Sequence, residues 1–219
     1  MHPKLPCAGL YAITDGPRSD LLSAVEAALR GGAALLQYRD KTGDSARRHA
    51  EALDLRRLCE RYRVPLIVND DVELAAAIGA AGVHLGEEDA GIAEARARLG
   101  AGAIVGVSCY DSFARAREAA AAGADYLAFG AFFPTATKPN ARRAAPELLR
   151  AAQETGLPRV AIGGITPDNA RPLLEAGADF LAVVSGVFGR PDVFQATRSY
   201  ASLFENENGM IGAQTTQDA

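Results

Sequence analysis

The stretch Phe132-Phe133-Pro134-Thr135-Ala136-Thr137-Lys138-Pro139 follows an apolar run, Tyr126 to Ala131, and sets two hydroxyls and an ammonium within four residues. Such a segment is suited to holding phosphate. Thr135 and Thr137 lie two apart, so an extended backbone points both hydroxyls to one side, and Lys138 adds a compact positive charge. Pro134 and Pro139 fix φ and bias the residues before them away from helix, which lowers the entropy lost when a ligand orders the loop. Another polar group closes the apolar run that begins at Ala34: Gln37-Tyr38-Arg39-Asp40-Lys41. Alternation there puts Gln37, Arg39 and Lys41 on one side and Tyr38 and Asp40 on the other. With Lys138, Arg39 and Lys41 make three cations, about what a pyrophosphate needs for neutralisation, and the arginine offers a bidentate fork. Asp70 and Asp89 close two further runs and supply hard oxygen ligands, which beside a phosphate pocket suggest magnesium. Their structural alternative is helix capping, which is the expectation for Asp71. Glu87 and Glu88 read as solvated loop acids.

These residues need elements to bring them together. Short, mostly continuous apolar runs, as buried parallel strands require, cover Gly9 to Thr14, Ala34 to Arg39, Pro65 to Asn69, Gly82 to Leu85, Ala103 to Ser108, Tyr126 to Gly130, Arg159 to Gly163 and Phe180 to Ser185. Between them lie amphipathic stretches: Leu21 to Arg30, Ser45 to Tyr62, Asp71 to Ile78, Gly91 to Leu99, Ser112 to Ala121, Pro146 to Glu154, Pro167 to Glu175 and Asp192 to Phe204. A recurrent helix exit carries a glycine suited to a left-handed cap, in Arg30-Gly31-Gly32-Ala33, Ala80-Ala81-Gly82, Ala122-Gly123-Ala124-Asp125 and Ala176-Gly177-Ala178-Asp179. Eight alternations without a linker predict an α/β chain folded as a single (β/α)8 TIM barrel, residues 1–204, followed by a disordered tail at 205–219. In such barrels chemistry sits at the C-terminal strand ends, where the polar residues above fall. Ser108 ends the fifth strand, Gly163 and Gly164 follow the seventh, and Val184 and Ser185 end the eighth. The glycines offer backbone N–H groups at helix N-termini, a phosphate site built mostly of backbone.

Other residues carry less. His84 in an apolar strand reads as a core histidine. Cys109 lacks a histidine or cation beside it in sequence and is not expected to act as a nucleophile. Cys7, Cys59 and Cys109 fall in no zinc-like pair or secreted framework, which fits a reducing cytoplasm. A net charge of −4 argues against nucleic acid, and no segment has the roughly 18 apolar residues of a membrane span.

The runs Leu10-Tyr11-Ala12-Ile13-Thr14-Asp15, Gln37-Tyr38-Arg39-Asp40-Lys41, Asn69-Asp70, Val83-His84-Leu85-Gly86 with Asp89, Gly106-Val107-Ser108, Phe133-Pro134-Thr135-Ala136-Thr137-Lys138 and Ala161-Ile162-Gly163-Gly164-Ile165 together resemble thiamine phosphate synthase, from about Leu10 to Tyr200. The resemblance implies a transferase. It would condense 4-amino-2-methyl-5-hydroxymethylpyrimidine pyrophosphate with a thiazole phosphate, releasing pyrophosphate by a dissociative, magnesium-assisted substitution. It further implies that Arg39, Lys41, Asn69 and Lys138 bind the pyrophosphate with Ser108 nearby, and that Asp70 and Asp89 hold Mg2+. Gln37 would contact the pyrimidine, and Thr135, Thr137, Gly164, Val184 and Ser185 the thiazole phosphate. Tyr38 stands where the family usually has Leu, and Cys109-Tyr110 where it commonly has a small residue and His. Two rival readings are a thiazole tautomerase of similar fold and a non-catalytic phosphate-binding barrel. The expected partners are small molecules, with no nucleic acid or membrane and with homo-oligomerisation left open.

Overall fold

The computed structural model describes residues 5–87, 89–134 and 142–211. Eight strands alternate with helices along the chain: β1 (Gly9–Ile13), α1 (Leu21–Arg30), β2 (Ala33–Tyr38), α2 (Ser45–Tyr62), β3 (Leu66–Asn69), α3 (Val72–Ile78), β4 (Gly82–Leu85) and α4 (Ile92–Leu99) form the first half. The second half comprises β5 (Ile104–Tyr110), α5 (Phe113–Ala121), β6 (Tyr126–Phe129), α6 (Pro146–Ala152) with a 3-10 turn at Gln153–Thr155, β7 (Arg159–Ile162), α7 (Arg171–Glu175), β8 (Phe180–Val183), α8 (Ser185–Phe188) and α9 (Val193–Ile211). Each strand pairs in parallel with its sequence neighbours, and β1 with β8, so the sheet closes in the order in which it is made. The single (β/α)8 barrel expected from the alternation is the observed fold.

The continuous apolar runs follow from burial on both faces. One layer of side chains fills the barrel, among them Tyr11, Leu35, Ile67, Ile104, Tyr126, Val160 and Phe180. The other packs the outer face against helices whose apolar positions recur every three or four residues, as Leu21, Ala24, Val25, Ala28 and Leu29 do on α1. Hydrophobic burial therefore acts twice on the same strands.

Three of the four expected glycine exits lie in the positive-φ region, at Gly32, Gly123 and Gly177. At the remaining one the cap is Gly79, with φ 64°, and not Gly82. Gly82 belongs to β4, where a Cβ would run into the Ile104 carbonyl of β5. Helix α7 begins at Arg171 and not near Pro167, because Asn169 Oδ1 accepts from Thr166 N at 2.8 Å and holds the intervening residues in a side-chain turn. The short α8 has no counterpart among the expected helices, since Gly186 weakens the helical pattern. Helix α9 continues to Ile211, past the expected end at Phe204, and residues 212–219 of the expected tail lie outside the described residues.

Candidate active site

The end of β2 is built as the alternation predicts. Gln37, Arg39 and Lys41 line one cavity of about 930 Å³ at the C-terminal strand ends. Tyr38 and Asp40 face α2. The Tyr38 hydroxyl donates to Glu51 at 2.7 Å, and the Arg47 guanidinium reaches Asp40 Oδ2 at 2.6 Å. That contact is an ion pair at an angle too poor for a directed hydrogen bond, while Asp40 Oδ1 accepts from Thr42 N at 2.8 Å. Burial would raise the Asp40 pKa, but Thr42 and Arg47 outweigh it and hold the carboxyl below its ordinary range. Arg47 also donates to Glu51 at 2.8 Å and to Thr42 at 2.6 Å. On the inner side Thr14 Oγ1 accepts from Arg39 N at 2.8 Å and donates to Arg39 O at 3.1 Å. Among the described residues no carboxylate lies within ion-pair distance of the Arg39 guanidinium, so its charge is left to the cavity.

Asp70 and Asp89, from the ends of adjacent strands, come together in the same cavity. Asp70 sits in the left-handed region at φ 62°, which aspartate tolerates better than most residues, and Lys41 Nζ lies 3.0 Å from its Oδ2. Burial pushes both carboxyls up. For Asp70 the hydrogen bonds from Lys41 and Asp89 outweigh it and the pKa is lowered. For Asp89, burial and the hydrogen bond and charge of Asp70 outweigh the Gly86 N–H that it accepts, and the pKa is raised. Two neighbouring carboxyls cannot both ionise at no cost, a cost that Lys41 lowers and that a cation between them would offset further. Hard oxygens in the loops after two adjacent strands, open to a cavity, fit a divalent ion of magnesium type that keeps several waters. Asp71 is instead the N-cap of α3, accepting from Leu74 N at 2.8 Å, as expected. Asp89 caps no helix, since the N-cap of α4 is Gly91. Glu87 is exposed and pairs with Arg142 at 2.9 Å, and Glu88 lies outside the described residues.

A polar chain crosses the barrel beneath this mouth. Gln37 Nε2 donates to the Tyr11 hydroxyl at 2.7 Å, the Tyr11 and Tyr126 hydroxyls lie 2.8 Å apart, and Tyr126 Oη is 3.0 Å from His84 Nδ1. His84 Nε2 in turn lies 2.9 Å from Ser108 Oγ. The strand register makes this reach possible. Tyr126 on β6 lies beside Gly106 on β5, and Gly106 lies beside His84 on β4. A Cβ at Gly106 would fall within the Tyr126 ring, so glycine lets the ring pass over β5 to stack on the His84 imidazole. Tyr11 and Tyr126 meet edge to face at 5.9 Å between centroids. Sequence reasoning missed Tyr11 and Tyr126 as site residues and read His84 as core. The readable signal was three polar-tipped rings on inward positions of strands that otherwise carry aliphatic residues.

Asn69 and Ser108 line the cavity as expected. Gly163, Gly164, Val184 and Ser185 line it too, but the helix N-terminus expected after β7 is absent there, because α7 starts at Arg171. Gly163 and Gly164 are needed for close approach: both have positive φ, and a Cβ would strike Ala131 and the Pro134 carbonyl respectively. Ser185 does open a helix, the single turn α8. Thr135, Thr137 and Lys138, with most of the loop around them, lie outside the described residues. Cys109 is buried away from the cavity, and burial pushes its thiol up to about 12, which fits an inert role. Tyr110, where the resemblance departs, lines the cavity with Arg142 over its ring at 4.4 Å. Arg115 ties β5 to the loop after β4, donating to Ser108 O at 2.7 Å and Gly86 O at 2.9 Å.

A family model described as thiamine monophosphate synthase matches residues 10–187. The chain is 56% identical over 202 residues to a thiamine-phosphate synthase of Thiobacillus denitrificans, covering 91% of this chain and 96% of that protein. It is 53% identical over 204 residues to the enzyme of that name from Nitrosococcus oceani, covering 91% and 94%. Among solved structures, a thiamine phosphate pyrophosphorylase from Pyrococcus furiosus superposes with a TM-score of 0.82 at 39% identity, over 91% of this chain and 96% of that one.

Proposed function

The chain belongs to the thiamine monophosphate synthase family, a family of transferases, and from that premise we propose that it joins an aminopyrimidine methyl pyrophosphate to a thiazole phosphate. The observation that carries this reading is the convergence of Gln37, Arg39, Lys41, Asn69, Asp70, Asp89 and Ser108 from four strand ends on one cavity. Small-molecule substrates follow from the family.

In this reading Arg39, Lys41, Asn69 and Lys138 bind the pyrophosphate, with Ser108 nearby. The Arg39 guanidinium, which pairs with no carboxylate among the described residues, provides two donors in a plane, and Lys41 contributes a charge that Asp70 holds in place. Asp70 and Asp89 would hold magnesium, which when bound neutralises charge growing on the leaving pyrophosphate. The pyrimidine methylene C–O bond breaks with its electron pair leaving on the pyrophosphate oxygen, and the resulting cation is attacked by the thiazole nitrogen, forming the C–N bond. Catalysis then consists of orienting the two substrates and stabilising the departing anion, with no protein nucleophile or strong base. Gln37 orients the pyrimidine. Gly164, Val184, Ser185, Thr135 and Thr137 hold the thiazole phosphate, Gly164 through a backbone shaped for close approach. Among the described residues no helix is long and apolar enough to cross a membrane. The three cysteines are free, which fits a reducing compartment such as the cytoplasm.

Purified protein incubated with both substrates and magnesium should form thiamine phosphate and pyrophosphate in equal amounts, and a chelator should stop both. Folded protein that binds thiazole phosphate yet forms neither product would overturn the reading in favour of an isomerase or a binding barrel.

A further inference from the structure

We infer that Gln37, Tyr11, Tyr126, His84 and Ser108 form a one-way hydrogen-bond chain that presents an amide acceptor at one end of the cavity and a hydroxyl donor at the other, with Tyr11, Tyr126 and His84 as positioning residues. The direction follows from proton counting. A phenol has one proton to give, and a buried one left ungiven is costly. Tyr11 is 1% exposed and already accepts from Gln37 Nε2, so its own proton goes to its other partner, the Tyr126 oxygen. Tyr126 is fully buried, and with Tyr11 donating to it, its proton goes to His84 Nδ1. A neutral imidazole accepting at Nδ1 carries its proton on Nε2, which faces Ser108 Oγ at 2.9 Å. Ser108 accepts there and keeps its own proton for the cavity that it lines.

The two ends then have defined characters. Gln37 gives one of its two N–H groups to Tyr11, which fixes the side chain where it lines the cavity, and we assign its carbonyl oxygen as the acceptor there. The donor end, Ser108, lies near the C-terminal end of β5, next to the strand that leads to Asp89. On the proposed function, on which this assignment of ends rests, the acceptor selects an exocyclic amine on a heteroaromatic ring and the donor meets a pyrophosphate oxygen. A ring bearing a carbonyl in place of the amine would put two acceptors face to face. A reversed chain would need Gln37 to accept from Tyr11 and His84 to carry its proton on Nδ1, and the pocket would then favour that carbonyl. Buried chains of this kind polarise along their length, so a break anywhere should be felt at both ends.

The test reads the imidazole directly. The chain has three histidines, so exchanging His2 and His49 for Gln leaves His84 alone to be followed by nitrogen-15 NMR in the full-length protein. The expected signal has a protonated Nε2 and an unprotonated Nδ1. A protonated Nδ1 would reverse the chain and overturn the inference. In Tyr126→Phe that preference should disappear, and kcat/KM for the pyrimidine substrate should fall roughly 10- to 100-fold. Adding Ser108→Ala to Tyr126→Phe should cost much less than Ser108→Ala alone, because the donor is already misdirected. Losses that multiply in full would show that the two act separately and would also overturn it. Absence of turnover in the unmodified protein would sink the proposed reaction while leaving the tautomer to decide the direction.

Discussion

Gly106→Ala should damage this protein far more than a single added methyl suggests. The new Cβ would fall on Cζ, Cε2 and the hydroxyl oxygen of Tyr126, and the ring would have to retreat by about 1.5 Å to regain ordinary contact. It cannot do so while keeping hydrogen bonds of 2.8 Å to Tyr11 and 3.0 Å to His84. Overpacking costs about 1–3 kcal/mol, and each buried polar group left without its partner about 1–3 kcal/mol more. With two such partners, Tyr11 and His84, these give a loss of about 3–9 kcal/mol, large beside a typical total of about 5–15 kcal/mol. Urea denaturation should show the midpoint falling at constant slope. Two controls separate the causes. Gly102→Ala meets open space at an unstrained φ and should change stability by less than about 1 kcal/mol. Gly106→Ala combined with Tyr126→Leu removes the ring atoms under the new methyl, so it should recover part of the stability and none of the activity. A Gly106→Ala protein within about 1 kcal/mol of the parent would refute the close approach of Tyr126 to β5. Full activity in the Leu double variant would refute the value placed on the hydroxyls.

Three further outcomes follow from the same geometry. Arg39→Ala should leave the urea midpoint within about 0.5 kcal/mol of the parent, because no carboxylate among the described residues pairs with Arg39, yet lower kcat/KM about 10²- to 10³-fold in the synthase assay. Asp70→Ala should abolish most turnover at ordinary magnesium and shift the magnesium needed for half-maximal rate upward by at least about 10-fold; an unchanged magnesium dependence would count against Asp70 as a ligand. Asp40→Asn should flatten the acid limb of stability. The folded-state pKa of Asp40 is lowered, so its contribution is complete above the unfolded value near 3.9 and fades as pH falls through the folded value. Midpoints measured from about pH 5 downward should therefore converge for parent and variant, and a constant gap would show that Asp40 does not titrate with folding.

The barrel was legible because burial on both faces leaves continuous apolar runs, and each run here stands alone between helical patterns. Alternation also sorted Gln37 and Arg39 from Tyr38 and Asp40 correctly, since a strand has no freedom to do otherwise. Boundaries failed where side chains compete with the backbone, as Asn169 does before α7, and where a glycine serves packing and not a turn, as at Gly82. The tyrosine and histidine chain was missed for a different reason. Its members are buried in the barrel, where sequence shows a phenol or imidazole among aliphatic residues and does not show that the tips meet across three strands.

Arg47 joins Asp40, Thr42 and Glu51 on the outside of β2 and so fixes the chain from the strand into α2. Ligand entry meets Arg39 and Lys41 on a segment whose freedom was already given up in folding. The ordering cost of gathering those charges is therefore met once, during synthesis of the chain, and not at each catalytic cycle. Catalytic turnover and the integrity of the outer helix are thereby linked: damage on the face of β2 turned away from the cavity would surface first as slower capture of an anion.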